Sequence, residues 1–275
     1  MITTEQNYLR DAAIKVWKDL ERAKSTFSTC REDGITDDFI NRLKVGYPGY
    51  VIVDKYTPYE ESGNGADWLW TFRNSLGNHA VSMLVQAKLL DTKEVHYPEI
   101  KRRVGNTSKR QVDVLISTAN AMQVAPMYAF YNHLFEEWRV PKQCLSLDDS
   151  AEIESWGISM ADAYSVRRLL NDQTFDSHKV NSRPLHCMLC AGGASRRPAD
   201  FGSSALLHLA LSRVSQWHRE NVGIKQLIEP PSPMVSGVIQ AAINSEDAYF
   251  RNFRNEIREG FPNLGGAIIF DDAPE

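Results

Sequence analysis

Apolar residues recur along the first segment at Leu9, Ala13, Val16 and Leu20, at helical intervals, and predict an amphipathic helix. A second, short helix is expected from Thr36, whose hydroxyl would cap it, with Asp37 and Asp38 in its first turn. Gly46, Pro48 and Gly49 then break the chain. Three strands follow. Residues 50–56 are β-branched and aromatic, and residues 66–72 alternate, with Ala66, Trp68, Trp70 and Phe72 on one face and Asp67, Leu69 and Thr71 on the other. Residues 80–90 return as the second arm of a hairpin, carrying Leu84, Gln86 and Lys88 on one side.

Thr107 or Ser108 is placed to cap a further helix buried through Val112, Leu115, Ile116 and Ala119, with Gln111 at the edge of that stripe. A strand over 124–131 comes next, and Pro126 marks its start or an edge position. Beyond about residue 140 the pattern turns helical. Helices are expected over 159–170, with Ser159 and Asp162 at capping-box spacing, over 203–217 and over 233–243, before a short strand at 264–270. Gly192, Gly193 and Gly202, with Arg196, Arg197 and Pro198, mark a loop.

This order predicts an α/β protein with a core over residues 1–140 and a mostly helical region over 141–275, which belongs to the same domain or stands as its own. The 275-residue length suits one large domain or two modest ones. A hydrophobic fraction of 43% and a charged fraction of 24% are those of an ordinary globular chain. No apolar run long enough to span a bilayer is present, so no membrane partner is expected. The first residues lack a secretory pattern, and a cytoplasmic location is the default. Cys30, Cys144, Cys187 and Cys190 are too few and scattered for a disulfide framework. The net charge of −4 argues against indiscriminate coating of nucleic acid. Lys101, Arg102, Arg103, Lys109 and Arg110 nevertheless form a local cationic cluster, readable as a solvated surface or as a backbone-binding one.

The stretch from Glu60 to Lys88 carries the most specific chemistry. It sets Glu60 and Glu61 before a Gly-Ala-Asp at Gly65-Ala66-Asp67, and Gln86-Ala87-Lys88 at the end of the next strand. Hard oxygen ligands beside a cation suit a magnesium-assisted cleavage of a phosphodiester. The helix, strand, Gly-Ala-Asp strand, Gln-x-Lys strand and following helix resemble the PD-(D/E)xK nuclease superfamily, and in particular the Mrr-type restriction endonucleases. The resemblance covers about residues 1–135.

That resemblance implies a three-layer α/β/α restriction-endonuclease-like core with a helical C-terminal elaboration, and a metal-dependent endonuclease acting on DNA, with RNA left open. It implies that Asp67 holds Mg²⁺ or Mn²⁺, that the Gln86 side-chain oxygen and the Ala87 carbonyl join it, and that Lys88 orients the attacking water. An upstream acid is common in the superfamily, often on the first helix. Here Glu60 or Glu61 is the nearer candidate for that second acid, and Gln111 matches a polar residue on the helix after the lysine strand. A restriction or phage-defence setting, a partner protein from the same system and a homodimer pairing two active sites are further expectations of the resemblance.

An amide at Gln86 in place of a carboxylate removes one negative charge from the metal's ligands, so metal occupancy is expected to be coupled to substrate. The same substitution sustains a rival: a catalytically inactive, nuclease-like nucleic-acid-binding or scaffold subunit. A protein-interaction module in which these residues are merely structural is a third reading. Trp68 and Trp70 read as core rather than as a base-stacking platform. Cys187 and Cys190, beside His186 but without a second ligand pair, read as buried, unliganded thiols.

Overall fold

The computed structural model describes residues 3–55, 67–74, 79–104, 108–134, 153–190, 210, 214, 231–244 and 264–271. Glu60, Glu61, Thr107, Cys144, the 192–202 loop and nearly all of 203–217 lie outside the described residues. Among the described residues is a seven-stranded mixed sheet, flanked in sequence by helices, so the chain is an α/β protein. Its strands are β1 (Tyr50–Lys55), β2 (Trp68–Arg73), β3 (Ala80–Leu89), β4 (Ala125–Tyr131), β5 (Ile158–Asp162), β6 (Ser182–Pro184) and β7 (Gly266–Asp271), ordered β1-β7-β2-β3-β4-β5-β6. β7 is antiparallel to β1 and parallel to β2, and β2 is antiparallel to β3.

Three of the seven strands therefore come from beyond residue 150, where the periodicity suggested helices with one closing strand. Ser159 lies in β5, and the helix after it, α4 (Ala163–Arg168), is capped by Asp162, whose carboxylate accepts the Tyr164 N–H. A run of four apolar or small residues at 158–161 is too short for periodicity to tell strand from helix. Pro126 is the second residue of β4, a strand with neighbours on both sides, which fits the strand-start reading and not the edge one.

By packing, the chain forms two compact units, each drawn from three segments. The first comprises Met1–Pro48, Ala87–Lys101 and Tyr128–Ser195. In it, α1 (Thr4–Ser25) buries Leu9, Ala13, Val16 and Leu20 as expected, and Ala12, Trp17 and Ala23 as well. Thr3 caps α1 by accepting the Gln6 N–H. The short 3₁₀ turn Ile153–Gly157 crosses α1 so closely that a Cβ at Gly157 would meet the Ala13 carbonyl oxygen at 2.0 Å, a position only glycine can fill. The next helix, α2, spans Glu32–Gly46, with its N-cap at Arg31, five residues before the expected cap at Thr36. Thr36 lies inside it and turns its hydroxyl back to the Glu32 carbonyl at 2.9 Å, with the Tyr131 hydroxyl at 2.8 Å. Cys187 and Cys190 are buried and not in a disulfide, and Gln6 Nε2 donates to Cys190 Sγ.

The second unit comprises Gly49–Gln86, Arg102–Met127 and Arg196–Glu275. Its strands bury aromatic rings: Phe72 stacks on Phe270 at 4.6 Å between centroids, and Trp68 and Trp70 are core, as read from the sequence. Each such ring contributes about 1.5–3 kcal/mol through burial. Gly266 of β7 lies against the Trp68 ring, where a Cβ would come within 2.2 Å. Helix α3 spans Gln111–Met122 and buries the predicted stripe, but its N-cap is Arg110, with no side-chain cap from Ser108. Helix α6 (Pro233–Ile243) has the predicted bounds, capped by Ser232, which also donates to the Met122 carbonyl. No helix among the described residues is long and apolar enough to cross a membrane.

Candidate active site

The β2–β3 hairpin sets the first half of the site. Its register pairs Trp68 with Val85, and the Asp67 N–H also donates to the Val85 carbonyl, at 2.9 Å. Asp67 thus stands at the entry of β2 rather than inside it, just before the first paired residue. Its carbonyl accepts the Gly265 N–H at 2.7 Å, so its backbone is held from both sides. Pinned this way, the Asp67 carboxylate accepts Gln86 Nε2 through Oδ2 at 2.8 Å.

Gln86 is buried, 2% exposed, in a strand buried along nearly all its length. Its Oε1 accepts Gln111 Nε2 at 2.7 Å. Gln111 opens α3 and is fixed by its own N–H, which donates to the Arg102 carbonyl at 2.9 Å. Gln111 Oε1 is buried and has no hydrogen-bond partner among the described residues. The three side chains form a chain of hydrogen bonds, Asp67–Gln86–Gln111, with one acceptor left over at its end.

β3 continues through Ala87, buried between its neighbours, to Lys88, two residues from Gln86 and on the same strand face. Lys88 is 1% exposed, which requires a partner for its charge. Glu32, the first residue of α2, provides it: Oε1 lies 3.6 Å from Lys88 Nζ, and Oε2 accepts the Leu89 N–H at 3.0 Å. An acid is favourable in this first turn of α2, where backbone N–H groups point outward. Glu32 was not among the residues singled out from the sequence. Its signal was an acid pair, Glu32-Asp33, at a helix start, obscured by placing that start at Thr36.

Of the cationic cluster, Lys101, Arg102, Arg103, Lys109 and Arg110 are all exposed. Arg103 and Arg110 form an antiparallel bridge and the Val104 N–H donates to the Lys109 carbonyl, so Arg103-Val104 is paired with Lys109-Arg110, which leads directly into Gln111. A cleft of about 490 Å³ is lined by Val16, Asp19, Cys30, Arg31, Asp33 and Arg42 among others. Arg42 there pairs with Asp19 and Asp38.

Among the described residues no group of three or more His, Cys, Asp or Glu side chains is placed to hold a metal ion. Among the described residues, the oxygens next to one another at the Gln86 end of β3 include the Asp67 carboxylate and the Gln86 Oε1. Both are hard oxygens, a set that fits Mg²⁺ or Mn²⁺ keeping several of its waters.

The fold is that of an α/β protein, with the Asp67–Gln86–Gln111 chain in one unit and the Lys88–Glu32 pair in the other. Residues 5–264 match a family described as a family of unknown function (DUF6615), and the chain belongs to it. No curated protein and no solved structure matches the chain.

Proposed function

We propose that the protein is a metal-dependent endonuclease that hydrolyses phosphodiester bonds, in DNA, on a restriction-endonuclease-like core. The observation that carries the reading is the placement of Asp67 against Gln86, with buried Lys88 two residues further along the same face of β3. Asp67 and the Gln86 side-chain oxygen would hold Mg²⁺ or Mn²⁺, with the Ala87 carbonyl as a further ligand. Bound there, the ion would neutralise phosphate charge and acidify a coordinated water. Lys88 would position the attacking water and offset charge on the phosphate. Glu32 aims the Lys88 ammonium and, anchored by the Leu89 N–H, restricts its rotamers, while Glu60 or Glu61 would be the second acid on the ion. Lys101, Arg102, Arg103, Lys109 and Arg110 would contact the nucleic-acid backbone, which orients the substrate without reading its sequence. A restriction or phage-defence setting, and a homodimer for double-strand cutting, belong to the same reading.

One observation favours a second reading. Gln86 presents its amide nitrogen, not its oxygen, to Asp67, and Lys88 is neutralised by Glu32, both of which suit a nuclease-like subunit that binds nucleic acid without cutting it. Supercoiled plasmid incubated with the purified chain in Mg²⁺ and in Mn²⁺, beside Asp67→Ala and Lys88→Ala, separates the two. The endonuclease reading expects nicked and linear product from the wild type and a loss of about 10²–10³-fold in each variant. Salt-sensitive DNA binding with no product supports the second reading, and cleavage that survives both substitutions overturns the site.

A further inference from the structure

We propose that Asp67, Gln86 and Gln111 form a two-state amide relay, in which a divalent cation on Asp67 reverses the side-chain amides of Gln86 and Gln111 together. The inference rests on the metal-binding reading above and concerns what these side chains do when the ion arrives.

The direction of the chain is dictated by its first member. An ionised carboxylate can only accept, so Gln86 must turn Nε2 towards Asp67, as it does at 2.8 Å. Its Oε1 is then turned to Gln111, which must donate, through Nε2 at 2.7 Å. Gln111 has one polar atom left, Oε1, and that atom is buried with no donor among the described residues. Each link follows from the one before, and the mismatch appears at the far end.

A cation bound by Asp67 changes the sign at the near end. An NH₂ group facing it would be repelled, whereas the carbonyl oxygen of the same amide is a ligand. Rotating the Gln86 amide by half a turn presents Oε1 to the ion and turns Nε2 to Gln111. Gln111 must now accept, through Oε1, and its NH₂ moves to the place where Oε1 had no donor. The Gln86–Gln111 hydrogen bond exists in both states with donor and acceptor exchanged. A primary amide presents a donor and an acceptor of nearly equal shape from one position, which Glu, Lys and the apolar residues do not. Two glutamines in series are therefore what a reversible relay requires, and they explain why an amide stands at 86. Gln111 is a positioning residue, acting on the ion only through Gln86.

The test is side-chain amide NMR of the ¹⁵N-labelled full chain during a Mg²⁺ titration, with the two signals assigned through Gln86→Glu and Gln111→Leu. Both amide pairs are expected to shift with one common midpoint, and neither to shift in Asp67→Asn. In addition Gln111→Lys, which can only donate and so holds Gln86 in the metal-free orientation, should weaken Mg²⁺ binding by about tenfold or more. Asp113→Asn, the same one-unit charge change in the first turn of α3, should move it far less. A Gln86 signal that responds while Gln111 stays still, or a Gln111→Lys protein that binds Mg²⁺ as the wild type does, overturns the relay and leaves the metal site standing. No response at either amide overturns both.

Discussion

Asn132 and Gln86 are both buried side-chain amides next to or within strands, and their surroundings differ in kind. Asn132, 0% exposed, has hydrogen-bond partners at both ends of its amide. Its Nδ2 donates to the Trp156 carbonyl at 2.8 Å and Ser159 Oγ at 3.0 Å, with the Phe130 carbonyl at 3.3 Å, while Oδ1 accepts the Tyr97 hydroxyl at 2.7 Å. All these partners are neutral, and both the nitrogen and the oxygen of the amide are engaged. Gln86 instead links a carboxylate to a second amide whose oxygen has no partner among the described residues. A closed neutral network fixes one arrangement of the chain and carries no directional bias. A network that starts on a charge and ends on an orphan has an alternative arrangement available, and a ligand can select it.

The sharpest way to break this comparison is to delete each amide. Asn132→Leu strands the Tyr97 hydroxyl and the Trp156 carbonyl in the interior, and should lower unfolding free energy by about 3 kcal/mol in urea titration. Mg²⁺-dependent stabilisation should be retained. Next in size is the Lys88–Glu32 pair. A double-mutant cycle of Lys88→Met with Glu32→Gln should give a coupling of about 1 kcal/mol, kept modest because the Glu32 side chain is 24% exposed. Gln111→Leu should be milder still, below about 1 kcal/mol, because one of its polar atoms is unpaired already. A cost as large as that of Asn132→Leu would make the Gln86 chain a structural network like the other.

The smallest expected effect is on pH dependence, and it belongs to the network side. His178 packs against Tyr97 and Phe130, and burial holds its imidazole below the usual value of 6.5 despite the opposing pull of Asp172. The folded state therefore binds the proton less readily than the unfolded one. Its contribution is complete above about pH 6.5 and is lost as pH falls through the folded value. Urea midpoints at pH 7.5 and 5.0 should differ, with the difference reduced in His178→Gln.

Much of this molecule was legible from pattern. The α1 stripe, the β2–β3 hairpin and the bounds of α6 follow from periodicity and caps, because those elements are governed by local spacing. The Gln-x-Lys was found for the same reason, since β3 puts both residues on one face. Glu32 was missed because the Thr36 hydroxyl, taken as a cap, has a partner in Tyr131, 95 residues away, which no local rule can supply. β7 was read as a strand, but its place between β1 and β2 depends on pairing across nearly the whole chain. Gln111 was singled out by its helix position, whereas its bond to Gln86 depends on where α3 begins.

The central claim is that Asp67 and Gln86 hold a divalent cation, and calorimetric titration of Mn²⁺ into wild-type and Gln86→Glu protein tests it most directly. A second carboxylate opposite Asp67 should repel it in the metal-free state and bind the ion with it, so the account predicts Mn²⁺ affinity higher by about tenfold or more in Gln86→Glu. Equal affinity in the two proteins, or no binding by either, would contradict it.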